Sequence, residues 1–249
     1  MNPWNRQSVD LAQSQSTSAV DAGLRSYMLK VYNTMASGVL LTAIIAYFAG
    51  NSNAFLSLMV SQGADGRVGM SGLGYIIAFA PLAMVFFMMF RLNSMSTSAL
   101  KTTFWVYASL VGLSFAPLFL LYTGESIARV LFMTAGTFGL LSMVGYTTKR
   151  DLTSMGTFLF VGAIAVFLSS IVNMLIFKSS MFQMALSALG VMLALGFTAY
   201  DTQKIKEIYY QVGHNADALA RAAALGALNL YMDFVYLFIN LLQLLGDRR

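Results

Sequence analysis

Two aspartates carry the chemistry this chain can do. Asp233 lies in the middle of an apolar stretch, Ala222 to Leu245, that contains no basic residue. A carboxylate at mid-depth in a membrane costs roughly 2.5 to 3.5 kcal/mol even on an insertion scale, so such a group marks a functional site. Around it Asn229, Asp233, Tyr236, Asn240 and Gln243 follow steps of four, three, four and three, which places them on one helix face. Lipid offers these groups no partner, so the face must look into a bundle or into water. Asp201 ends the preceding apolar stretch, and Thr198, Ala194, Gly190, Ser187 and Gln183 precede it at helical spacing. A face so small and polar lets another helix approach closely.

If the two faces meet, two carboxyl groups share a site of low dielectric and one of them keeps a proton. Protonated, the acids hydrogen-bond and tie their helices; deprotonated, they repel and offer oxygen ligands to a cation. A hard ion such as calcium suits Asp201 and Asp233 as a weak transit site. Asn229, Tyr236, Asn240 and Gln243 are then the residues expected to line the pathway. A second reading of Asp201 stands beside this one, in which it merely ends its span and pairs with Lys204 three residues on. Arg91, closing the second apolar stretch on the side of Asp201, is either an anchor at the lipid interface or a competing partner for that acid.

These residues must be positioned by membrane helices. The chain is 58% hydrophobic and 10% charged, against about 25% charged in a soluble domain. Seven stretches are long enough to cross a bilayer: Val31 to Ala49, Gly72 to Phe90, Thr102 to Tyr122, Val130 to Tyr146, Ser154 to Phe177, Ser180 to Tyr200 and Ala222 to Leu245. The fold class is all-α and polytopic. About ten apolar side chains in the seventh span, at roughly 0.5 kcal/mol each, are largely offset by its acid and amides. It therefore belongs at the centre, wrapped by the other six. Residues 1–22, rich in Ser and Gln, read as a flexible polar tail, and residues 23–249 as the membrane domain.

Basic residues set the orientation. Arg6, Arg25 and Lys30 precede the first span; Arg91 with Lys101, Lys149 with Arg150, and Lys204, Lys206 and Arg221 follow the second, fourth and sixth; Arg67, Arg129 and Lys178 stand singly between them. The N-terminus is therefore expected in the cytoplasm. Arg248 and Arg249 would then lie outside, unless the seventh segment is re-entrant. Loops are expected to be short except Gly50 to Ser71 and Asp201 to Arg221. Pro117 is expected to interrupt the third span, and Pro81 lies in the second.

With no cysteine and a single histidine, His214, thiol redox and zinc hydrolysis are excluded. No GxSxG or HExxH motif appears, and the seventh span has no lysine for a Schiff base. The chain reads as a non-enzyme without a cofactor. Its scattered basic residues form no nucleic-acid stripe, and no repeat suggests a coupled transporter.

Five segments carry a resemblance: LRSYMLKVYNTMASGVLLTAIIAY from Leu24 to Tyr47, FFMMFR ending at Arg91, TTKRDL from Thr147 to Leu152, AYDTQKIK from Ala199 to Lys206, and LNLYMDFVYLFINLLQLLG from Leu228 to Gly246. In these the chain resembles the bacterial branch of the Bax-inhibitor (transmembrane Bax inhibitor motif) membrane proteins. The resemblance implies six helices enclosing a seventh and a pH-sensitive calcium leak of the inner membrane. It implies a paired-aspartate sensor at Asp201 and Asp233, and Arg91 as the latch arginine. A glutamate found in the second helix of some relatives is missing, Tyr75 to Phe90 containing no acid. The alternative function is regulation of a membrane-bound AAA protease in membrane-protein quality control, with the tail as the segment gripped.

Overall fold

The computed structural model describes residues 3–62, 68–91 and 94–249. Helix α1 (Pro3–Gly50) leads into a short α2 (Asn53–Met59) and an antiparallel hairpin of β1 (Val60–Gln62) and β2 (Val68–Met70). Then come α3 (Gly72–Arg91), α4 (Thr97–Ser114), α5 (Leu118–Leu121), α6 (Gly124–Thr147), α7 (Thr153–Val172), α8 (Ser180–Val212) and α9 (Ala216–Leu245). Seven segments are long and apolar enough to cross a membrane: Asp21–Gly50, Gly72–Arg91, Thr97–Leu121, Gly124–Thr147, Thr153–Phe177, Ser180–Val212 and Ala216–Leu245. The backbone of α1 includes most of the polar segment 1–22; Met1 and Asn2 and the side chains of residues 3–20 lie outside the described residues.

Local chemistry explains the breaks. Pro117 has no amide hydrogen, so α4 tightens into a turn in which the Phe115 amide reaches the Val111 and Gly112 carbonyls, and the chain restarts as α5. Pro81 sits inside α3 without ending it. The fifth span closes with a π-helical turn at Asn173–Phe177 and a left-handed Lys178 (φ 49°). The Asn173 side chain bridges to both Ser179 and Gln183, so α8 folds back at once.

The stretch Asp201 to Arg221 is not the long loop that its polarity suggests. Helix α8 continues for about three further turns to Val212, and α9 begins at Ala216, capped by Asn215. Lys, Glu and Gln are good helix formers; their appearance marks where the helix leaves lipid, not where it stops.

Helix α9 is the core. Of its most apolar window 61% is buried, against 11–33% in the other six spans. It packs directly on α1, α4, α6 and α8, while α3 packs outside α4 and α7 outside α8. Tyr231 anchors it: the ring lies edge-on to Phe104 and Tyr107, and its hydroxyl donates to Thr42 Oγ1 (2.6 Å), which donates onward to the Ala108 carbonyl (2.8 Å). Phe90, Phe132, Phe158 and Met181 stand open on the outside, as lipid-facing residues do.

Helix α9 also settles the C-terminus. Its thirty residues run without a break, about 45 Å, so the segment crosses and does not re-enter. Arg248 then pairs antiparallel with Tyr122, Arg249 donates to the Leu121 carbonyl (3.0 Å), and Asp247 ion-pairs with Arg129 (2.5 Å). The chain thus ends beside the connection of the third and fourth spans, on the face opposite the α8–α9 turn.

Candidate proton-sharing site between the sixth and seventh spans

Helices α8 and α9 form the most extensive helix pair in the bundle, and the faces that meet are the two polar ones. At the end away from the α8–α9 turn Gln243 Oε1 accepts from Gln183 Nε2 (2.9 Å) and from Ser187 Oγ (2.6 Å). Asn240 donates to the Tyr236 carbonyl of its own helix (2.7 Å) and lays its amide on Gly190. A Cβ at Gly190 would stand 2.2 Å from Asn240 Oδ1, so only a hydrogen fits there. Ala194 and Thr198 continue the contact, both fully buried.

At the end nearer the α8–α9 turn the Asp201 and Asp233 carboxyl groups face each other across the helix contact, close enough to interact. Carboxylates are acceptors only. A hydrogen bond between two carboxyl groups therefore requires a proton on one of them. Asp233 is 8% exposed, and its Oδ2 has no partner among the described residues. Lys204 is the cation whose charge reaches Asp201, but it is exposed and lies over the Tyr200 ring, 5.5 Å from the centroid. Asp201 thus has both Lys204 of its own helix and Asp233 of α9 as neighbours.

The remaining expected residues are placed less tightly. Tyr236 is half-buried, its hydroxyl without a partner among the described residues. Asn229 is half-buried one turn before Asp233. Arg91 closes α3 at an exposed position, on a helix packed against α4 rather than α8, and makes no ion pair with Asp201 among the described residues.

Three supports escaped the sequence reading. Gln203 clamps the α6–α7 turn, donating to the Arg150 carbonyl and accepting from the Leu152 amide, each at 2.8 Å. Lys206 donates to the Tyr146 carbonyl (2.8 Å) and covers the Tyr146 ring. Gly145 brings α6 so near α8 that an added Cβ would lie 2.3 Å from the Ala199 carbonyl oxygen. In the turn itself, hydrogen bonds from Thr153 hold Asp151 below the usual carboxylate range. Gln203 and Lys206 share the AYDTQKIK segment with Asp201, and that clustering was the available signal. Gln203→Ala should cost about 1 to 3 kcal/mol by leaving two backbone groups unpaired; faster hydrogen exchange at the Leu152 amide is the measurement.

The family model described as "Inhibitor of apoptosis-promoting Bax1" matches residues 24–249, which include all the residues of this site. The chain belongs to the Bax-inhibitor family. Its relatives cover it almost end to end. It is 40% identical to Inner membrane protein YbhL of Escherichia coli K12, over 92% of this chain and 94% of that one. It is 40% identical to protein RP147 of Rickettsia prowazekii, over 96% and 97%, and 39% identical to a Caulobacter vibrioides protein over the whole of both chains. In this Bax-inhibitor protein the central α9 and its seam with α8 form the most extensive helix contact of the bundle.

Proposed function

We propose that the protein is a pH-regulated calcium leak of the bacterial inner membrane, gated by the proton that Asp201 and Asp233 share. What supports this reading is the apposition of two acids across the most extensive helix contact of the bundle; a hydrogen bond between them exists only while the pair holds a proton. Such a bond is strongest with one proton shared, because it is then charge-assisted. Adding a second proton reduces it to a neutral bond; removing the last replaces attraction by repulsion between two buried charges. Movement of pH in either direction from the shared-proton state therefore loosens the tie between α8 and α9.

In the ionised state the two carboxylates would receive a calcium ion. No third His, Cys, Asp or Glu joins them among the described residues, which suits passage rather than storage, since tight calcium sites gather six to eight oxygens. Asn229, Tyr236, Asn240 and Gln243 would line the path once the helices part, and Arg91 would have to move toward Asp201 to act as a latch. The inner membrane follows from the name of the YbhL relative, and the cytoplasmic N-terminus from the distribution of basic residues. The test is calcium flux from loaded proteoliposomes containing the full chain, measured between about pH 6 and pH 8. About a tenfold variation is expected, the difference between a charge-assisted and a neutral hydrogen bond. A flat profile would sink the proposal.

A further inference from the structure

The ring around α9 has a gap. Helices α1 and α6 both pack on α9 but not closely on each other. Between them lies a cleft of about 800 Å³, open to the side, walled by residues such as Met35, Val39 and Leu131 and floored by Phe138 and Phe234. A second cavity of about 310 Å³ continues the same seam through Val39, Ala43 and Leu131 to Tyr47 and Gly124. From Arg25 at one end to Tyr47 at the other is twenty-two residues of α1, about 33 Å, close to the roughly 30 Å of a bilayer's hydrocarbon.

Besides Tyr32 part-way along α1, two polar features break this apolar wall, both at the same end. Exposed Arg25 stands at the mouth with Tyr146. One helical turn deeper, Ser142 is 5% exposed, and its hydroxyl has no partner among the described residues. It does not turn back onto its own helix as Thr134 does on the Val130 carbonyl. A buried hydroxyl without a partner is costly, and the lining of this cleft points to what would satisfy it.

We propose that the cleft between α1 and α6 binds one anionic glycerophospholipid, with its phosphate on Arg25, an ester carbonyl accepting from Ser142, and its acyl chains along α1 and α6. The order of groups matches the molecule: an anion first, an acceptor about one turn deeper, then hydrocarbon. A second copy of the chain would have to present an acid and an acceptor at the same two depths. The lipid carries both, and a bilayer supplies it on every side.

The test is native mass spectrometry of the full chain in detergent, with added dioleoylphosphatidylglycerol or dioleoylphosphatidylcholine. One phosphatidylglycerol should be retained, about fivefold more tightly than phosphatidylcholine, and Arg25→Gln should remove that preference. Gly139 lines the cleft and an added Cβ there meets nothing, so Gly139→Phe should fill the space, leave the fold intact and abolish retention. Ala135→Phe, one turn away on the same wall, is the second blocking variant. Equal retention of the two lipids, or unchanged phosphatidylglycerol retention in both blocking variants, would overturn the proposal. So would a dimer that the blocking variants convert to monomer with no change in bound lipid, since the cleft would then be a protein interface.

Discussion

Asp233→Asn protein in calcium-loaded proteoliposomes is expected to leak at a rate that varies less than about twofold between pH 6 and pH 8, where the native chain varies about tenfold. The reason is the proton inventory of the pair. With aspartate at both positions the bond needs a proton that the solvent can add or remove. With asparagine at 233 the amide donates to Asp201 by itself, at any pH, so the tie between α8 and α9 persists and no longer reports acidity. Asp201→Asn should flatten the profile in the same way, because the relation is reciprocal. Asp217→Asn should not, since Asp217 is an exposed acid in the first turn of α9. An Asp233→Asn profile that follows the native one would place the sensor elsewhere in the molecule.

Gly145→Val is expected to be the most damaging single substitution near the site, lowering stability by about 3 kcal/mol. A Cβ at this position would lie 2.3 Å from the Ala199 carbonyl oxygen and 2.9 Å from its Cα. Both are backbone atoms, so no side chain can swing aside, and α6 and α8 would have to separate two residues from Asp201. Gly136 on the same helix provides the control. An added Cβ there meets nothing, so Gly136→Ala should raise stability by roughly 0.5 to 1 kcal/mol, because glycine disfavours helix. Thermal unfolding in one detergent measures both. Similar melting temperatures for Gly145→Val and the native chain would mean that the two helices are not held at this distance.

Much of this arrangement is written along the chain. The i, i+4 and i+3 spacing of Asp233, Tyr236, Asn240 and Gln243 places them on one face whatever surrounds them, and the small residues preceding Asp201 mark the surface that receives it. The cost of an acid and three amides in one span is a local property, and it foretells that α9 lies inside. What is not legible depends on partners far away in sequence. Gln203 reads as an ordinary polar residue until Arg150 and Leu152, about fifty positions earlier, are seen beside it. The placement of α3 and α7 in an outer layer is also absent from their own composition, since their residues are as apolar as any that face a neighbour. Polarity misleads in the stretch from Asp201 to Arg221 because it reports contact with water, and a helix in water remains a helix.

The central position of α9 bears on how the protein is made. The seventh span is the one that the inner helices pack against, so the spans made before it must wait in the bilayer with the Gln183 side-chain amide lacking its Gln243 acceptor until it arrives. A chain interrupted near Asn215 would present the face of α8 around an axial vacancy. The interior closes only when the seventh span is in place, and the contacts of Arg248 and Arg249 with Tyr122 and Leu121 then hold its far end.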